Sequence, residues 1–350
     1  MPRLSLKTIR RENARAVLEA IARKKFITKL EISEETGLSL MTAGKIVSLL
    51  GAGGIIMHGK SIIQKAGRRA EVFKIRHDWL IPVFEIASRV FKFYITDLEG
   101  NIIDKLEYRC SDSPMYISNE FISFLRTTLE LLKSRYKNRK ALGIGVSVSG
   151  VYDAENDRII SSMMPELSSL KLMHNISKIF KQTNVVIDNA NRLCAQGLIE
   201  GNKNYAERTI SCLSVSDSIE CTTCDRGSYI VGSNNLAGRL GDLPYTPGLT
   251  YANFMRDAKE TDDVFSPVLD LLKNISVSYD PEIIYLCSDK FTFTPQTKDK
   301  LFSSLKNEMR WVNNNAPELI VVNSSSLESV SGIISRVIGN WLDSLLSSNE

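Results

Sequence analysis

Between Ile27 and Gly54 the chain is punctuated so closely that few backbone courses stay open to it. Thr28-Lys29-Leu30-Glu31 has the form of a capping box, with the Thr28 hydroxyl placed to accept from the third helical amide and Glu31 placed to reach back. The helix it opens must be short, because Thr36-Gly37 supplies the residue that most easily adopts a left-handed stop. Ser39 is then a natural N-cap for a second helix. Ala43, Ile46, Val47 and Leu50 form the inward stripe of that helix, which leaves Leu40, Met41, Thr42, Lys45 and Ser48 on its other faces. Two short helices joined by a glycine turn make a helix-turn-helix, whose second helix enters a DNA major groove by its N-terminal end.

The flanks complete a small domain. Ile9, Val17, Leu18 and Ile21 recur at helical spacing, with Arg10, Arg11 and Arg15 outside the stripe. After Gly51 to Gly54, the apolar stretches Ile55 to His58 and Val72 to Ile75 read as strands around a basic loop, a wing tipped by Gly67-Arg68-Arg69. Charge singles out the same segment. Residues 1–76 hold 16 Lys and Arg against 6 Asp and Glu, a net of +10; the rest hold 28 against 34, a net of −6. A basic head on a mildly acidic body points to a polyanion partner at one end only. A winged helix can also serve as a protein-interaction module, but cations on helix, wing and N-terminal arm together favour double-stranded DNA.

The remaining residues suit two α/β lobes. Val83 to Thr96 and Ile102 to Tyr108 read as strand, strand, turn and strand; Met115 to Tyr136 is an amphipathic helix, and Ala141 to Ser149 a buried strand. Val185 to Ile187 is a strand and Asn189 to Glu200 a helix; Thr209 to Val215, Glu220 to Val231, Glu282 to Leu286 and Leu319 to Val322 are strands; Ile333 to Leu346 is a closing helix. No apolar run reaches membrane-spanning length and no signal peptide precedes the charged N-terminus, so a cytoplasmic protein without a membrane partner is expected.

Arg10-Arg11-Glu12-Asn13, Thr36 to Ser39, the helix bearing Thr42, and Gly67-Arg68-Arg69 resemble the winged-helix head of ROK-family repressors, the type that controls xylose and N-acetylglucosamine genes. In the body, Gly143 to Gly150, Asp188-Asn189-Ala190-Asn191, Leu236 to Pro244 and Asp280 to Ile284 resemble landmarks of the same family, in the same order. The resemblance implies an N-terminal winged helix-turn-helix followed by a bilobed, actin-like sugar kinase fold. It implies a head at 1–78, α/β lobes at 79–200 and 201–325, and a C-terminal helix at 326–350 packing back on them. One departure in the head is Ala43-Gly44, where many relatives have Val-Ser; a mid-helix glycine costs about 0.5–1 kcal/mol relative to alanine.

What the body has lost decides its chemistry. Phosphate loops need glycine because backbone must approach the anion closely. Where family kinases have Asp-x-Gly-Gly-Thr this chain has Glu85-Ile86-Ala87-Ser88-Arg89, and where they have Gly-Thr-Gly-x-Gly it has Ser216-Asp217-Ser218-Ile219-Glu220. A later Gly-Gly is Cys287-Ser288, and the catalytic Asp is Asn189, whose amide is no general base. The zinc segment of the family is also missing: its Glu and His appear as Arg239 and Asp242, and no cysteine falls between Cys224 and Cys287. Cys221-Thr222-Thr223-Cys224 has ligand-like spacing, but its strand setting and lack of companions read as reduced thiols. No catalytic residue, cofactor or metal is therefore expected.

Arg239 and Asp242 read first as a salt bridge replacing the zinc clamp, and second as effector contacts together with Asp188, Asn189 and Glu166. The expected function is a transcriptional repressor of carbohydrate-related genes. It would bind a pseudo-palindromic operator as a homodimer or higher homo-oligomer and answer to a sugar or sugar-derivative effector. The alternative is a ROK-type carbohydrate kinase with an appended head, against which the lost loops already argue.

Overall fold

The computed structural model describes residues 6–59, 62–63, 69–87, 89–111, 113–160, 165–216, 218–309, 316–324 and 326–348. Helix α1 (Leu6–Lys24) ends where Lys25 takes a φ of 62°. A two-residue strand β1 (Ile27–Thr28) leads into α2 (Lys29–Thr36). The capping box closes from both sides: Glu31 N donates to Thr28 Oγ1 at 3.3 Å and Thr28 N donates to Glu31 Oε2 at 2.8 Å. Those bonds hold the Glu31 carboxyl below its usual range. Gly37 stops the helix at φ 68°, and Ser39 caps α3 (Leu40–Ala52).

Strands β2 (Ile56–His58), β3 (Ile62–Ile63), β4 (Arg69–Ala70) and β5 (Val72–Ile75) follow. An antiparallel sheet runs β1-β5-β2, and β3 pairs with β4. Of the expected wing tip, Gly67 and Arg68 lie outside the described residues, and Arg69 is described only as backbone of β4. Ala14, Val17, Leu18, Ala20 and Ile21 bury the inner face of α1; Ile9, expected on that face, is 40% exposed because the buried stripe begins only at Ala14.

The first lobe opens with β6 (Trp79–Ala87), β7 (Val90–Thr96) and β8 (Ile102–Arg109), joined by short turns in the expected order. Then come α4 (Ile117–Arg135), β9 (Lys140–Ala141), β10 (Ile144–Val148), the hairpin β11 (Val151–Asp153) and β12 (Arg158–Ile160), α5 (Leu172–Phe180), β13 (Val185–Asn189) and α6 (Ala190–Gly201). The main sheet runs β13-β10-β6-β7-β8, parallel across its first three strands and antiparallel beyond. Phe84, Phe91 and Phe93 on this sheet pack against Phe121, Phe124 and Leu125 of α4.

The second lobe comprises β14 (Thr209–Val215), β15 (Ile219–Asp225), β16 (Ser228–Tyr229), β17 (Pro244–Thr246), β18 (Leu249–Thr250), α7 (Tyr251–Asp257), α8 (Phe265–Tyr279), β19 (Ile283–Cys287), α9 (Pro295–Glu308) and β20 (Glu318–Val322). Its sheet runs β16-β15-β14-β19-β20. The strand expected over Glu220 to Val231 is broken at Arg226-Gly227, both at positive φ.

The last helix, α10 (Ser326–Ser347), returns to the first lobe. It crosses α6 so closely that a Cβ on Gly197 would lie 2.1 Å from the Glu328 carbonyl oxygen, and one on Gly332 2.0 Å from that of Leu193. Val330, Ile333, Ile334, Val337 and Leu342 of α10 share one core with Val17, Leu18 and Ile21 of α1 and with Ile81 and Val83 of β6. Head and body are thus welded through a common apolar cluster. Among the described residues no helix is long and apolar enough to cross a membrane.

Candidate nucleic-acid interface and interlobe cleft

At the start of α3, Ser39 Oγ accepts from Thr42 N at 3.2 Å and lies 2.9 Å from Thr42 Oγ1. Ala43, Val47 and Leu50 anchor the helix in the core, so its first turn points outward: Leu40 is 54% and Met41 72% exposed, and Lys45 is exposed beyond them. A helix N-terminus that faces solvent carries partial positive charge and favours anions. Arg10 is exposed on α1. Arg11, expected beside it at the DNA face, instead turns to the body, where its guanidinium meets Asp343 of α10 at 3.1 Å. Arg15 pairs with Glu200 of α6 at 2.5 Å, and Ser335 of α10 donates to the same carboxylate. Arg11 and Arg15 are one helical turn apart, which puts both on the face of α1 that α10 covers.

The residues expected to hold an effector are mostly engaged with the protein itself. Asn189 ends β13 and caps α6, its Oδ1 accepting from Asn191 N and Arg192 N at 3.0 Å each. Its amide donates to Gly150 O at 2.8 Å and to Glu220 Oε2 at 2.7 Å. The Asp188 carboxylate accepts from Asn189 N at 2.7 Å, lies 3.4 Å from Arg192, and is in contact with Arg336 of α10. Arg239 and Asp242 form the expected pair, Nε to Oδ2 at 2.7 Å, with Asp242 about half exposed at 47%. Glu166 lies apart, in the single turn Pro165–Ser169 against β12, and does not line the cavity at Asn189.

That cavity, bounded by Asn189, Arg192, Glu220 and Arg239, measures about 20 Å³, room for one water molecule and not for a sugar ring. A larger cavity of about 470 Å³ adjoins it across Glu220, lined by Glu85, Lys92, Ser149, Asn191, Ser214, Ser216, Ser218 and Lys290. Glu220, partly buried between the two, was not singled out from the sequence as a site residue. Burial pushes its carboxyl above the usual range, against the Asn189 hydrogen bond and the nearby Arg239. Glu85 is paired with Lys92 at 2.8 Å. Ser288 caps the turn after β19 by accepting from Phe291 N at 2.8 Å.

Neither a protein-family model nor a curated protein matches this sequence. Solved structures do. A ROK-family transcriptional regulator, a homolog of the E. coli MLC protein, superposes with a TM-score of 0.71 at 16% identity, over 97% of this chain and 99% of that one. A ROK-family protein from Streptococcus pneumoniae TIGR4, solved in complex with sucrose, gives 0.56 at 15% identity, over 76% of this chain and 98% of its own. The ROK hexokinase from Thermus thermophilus gives 0.54 at 14% identity, over 73% and 97%. The hexokinase thus covers about three quarters of this chain, whereas the regulator covers nearly all of it. The chain has, over nearly its whole length, the fold of a ROK-family transcriptional regulator, and its body has the fold of the ROK sugar kinases.

Proposed function

We propose that this chain is a ROK-type transcriptional regulator, a cytoplasmic repressor of carbohydrate-related genes that binds a double-stranded DNA operator through a winged helix-turn-helix. The observation that carries this reading is the solvent-facing first turn of α3, with Met41 72% exposed, on a segment of net charge +10. Ser39, Leu40, Met41, Thr42 and Lys45 are assigned to the major groove. Arg10 and the wing residues Gly67, Arg68 and Arg69 are assigned to backbone or minor groove. Arg11 is reassigned to the junction of head and body. The protein acts as a homodimer or higher homo-oligomer, since paired half-sites mirror protein symmetry. The functional divisions are 1–78, 79–200, 201–325 and 326–350.

The body, on this reading, is a catalytically inactive effector or dimerisation unit. The absent phosphate-loop glycines and Asn189 in place of the base support that assignment over a kinase. A sugar or sugar-derivative effector finds its space in the cavity of about 470 Å³ beside Glu220. Binding to an operator selected from random sequence tests the proposal. Arg68→Ala with Arg69→Ala should weaken binding to all sequences and flatten the salt dependence by about 0.9 per lost phosphate contact. Met41→Ala or Lys45→Ala should shift sequence preference, costing about 1–3 kcal/mol at a good base contact. Operator affinity, salt slope and selected motif all unchanged would remove the head from DNA recognition. Sugar phosphate formed from Mg-ATP would reinstate the kinase.

A further inference from the structure

Six cysteines scattered in sequence do not stay scattered in the fold. Cys194 on α6, Cys212 on β14 and Cys287 on β19 are each fully buried, and their Sγ atoms all lie within 4.8 Å of one another. We propose that these three thiols form a binding site for a soft monovalent d10 ion, Cu(I), in trigonal sulfur coordination. The proposal does not rest on the DNA-binding reading.

Number and type of donors select the ion. A metal–sulfur bond of about 2.3 Å places the three sulfurs of a trigonal plane about 4 Å apart, so the observed triangle needs to contract by about 1 Å at most. Structural zinc takes four ligands, and among the described residues no further His, Cys, Asp or Glu joins this group. An all-sulfur, three-donor set suits Cu(I). A single buried cysteine behaves as a small apolar residue, and Cys221 and Cys224 are of that kind: three positions apart on β15, they face opposite sides of the sheet. Cys194, Cys212 and Cys287 instead converge from three separate elements.

A supporting side chain holds the geometry. Cys212 Sγ donates to Asn191 Oδ1 at 3.3 Å, while the Asn191 amide is fixed by Cys212 O at 2.8 Å and Glu220 O at 3.0 Å. Such fixed partners orient ligands before a metal arrives. On binding, the thiol protons pass to solvent and sulfur lone pairs bond the ion; with copper supplied as Cu(I), no electron is transferred. The bound ion would tie α6, the helix that α10 crosses, to the sheet of the second lobe.

The test uses the reduced full-length chain under anaerobic conditions, titrated with Cu(I) against a chromophoric bathocuproine competitor. One ion per chain is expected, with a raised melting temperature and X-ray absorption reporting three sulfur neighbours. Cys194→Ser, Cys212→Ser and Cys287→Ser should each weaken binding by at least about tenfold, whereas Cys110→Ser, Cys221→Ser and Cys224→Ser should not. Circular dichroism checks that each variant folds, and if a serine variant does not, the wild-type absorption spectrum decides. No retained copper, fewer than three sulfur neighbours, or full affinity in all three folded variants overturns the site. Equally tight zinc binding overturns its trigonal character.

Discussion

Helices α3 and α6 start alike and end in opposite surroundings. Each opens on a side-chain cap, Ser39 for one and Asn189 for the other. Beyond Ser39 the chain presents Leu40 and Met41 to solvent. Beyond Asn189 it is enclosed: the Asn189 amide is spent on Gly150 and Glu220, Asn191 is buried, and Arg192 lies against Asp188. A helix start can take an anion only where its own side chains leave it open, and that of α6 is covered. Here it is satisfied from within, while the helix start in the head faces outward.

The caps offer the sharpest way to break that contrast. Ser39→Ala removes one exposed cap bond and should cost about 1 kcal/mol; on the proposed DNA-binding role, operator affinity should fall with the frayed turn. Asn189→Ala removes a cap and also strands the Gly150 carbonyl and the Glu220 carboxyl, so about 2–4 kcal/mol is expected. Chemical denaturation of both variants measures the difference. Equal costs would mean that the α6 start is as solvated as that of α3.

Glycine provides a second matched pair, smaller in effect and opposite in sign. Gly197→Ala forces a Cβ against the Glu328 carbonyl of α10 and should destabilise by about 1–3 kcal/mol, the usual toll of overpacking. Gly44 in α3 has nothing within 4 Å of where a Cβ would go, so Gly44→Ala should stabilise by about 0.5–1 kcal/mol. Loss of operator affinity in a more stable Gly44→Ala protein would show that backbone at Gly44 approaches DNA. Stabilisation by both substitutions would refute the tight crossing of α6 and α10.

The same two regions differ in how far they could be read beforehand. Around α2 and α3 the signals are local: the Thr28 box, Gly37 and Ser39 each act within three or four residues, and all appear in the fold. The two-residue β1 escaped, because its partner β5 is remote in sequence, and the short pair β3 and β4 falls within what reads as a basic loop. In the body, α5 and α8 went unanticipated. Neither has a side-chain cap, and α5 is bracketed instead by left-handed Lys171 and Lys181. Thr294-Pro295, a cap followed by proline in the first turn, is the local signal for the start of α9. The Arg239–Asp242 pair was legible because opposite charges stand where the family's zinc segment has Glu and His. Glu220 was visible only as a lost glycine, since its partner Asn189 lies 31 residues away, and Arg336 reaches Asp188 from the far end of the chain. Arg11 carried no mark that distinguished it from Arg10, because its partner Asp343 is 332 positions distant.

The smallest expected effect tests whether the cleft is truly closed around Glu220. Burial raises this carboxyl above its usual range despite Asn189, Arg239 and Arg192, so the folded protein resists its ionisation. A raised folded-state pKa contributes stability that is fully present below the unfolded value, about 4.3, and is lost as pH rises through the folded one. Gln in place of Glu220 cannot ionise, and its carbonyl oxygen still accepts from the Asn189 amide. Glu220→Gln should therefore be more stable than the parent at neutral pH, with the advantage shrinking as pH falls through the raised folded-state value and gone below about 4.3. Melting temperatures across that range supply the comparison. A variant less stable at neutral pH would mean that Arg239 and Arg192 outweigh burial, and that this side of the cleft is open enough for water to support a carboxylate.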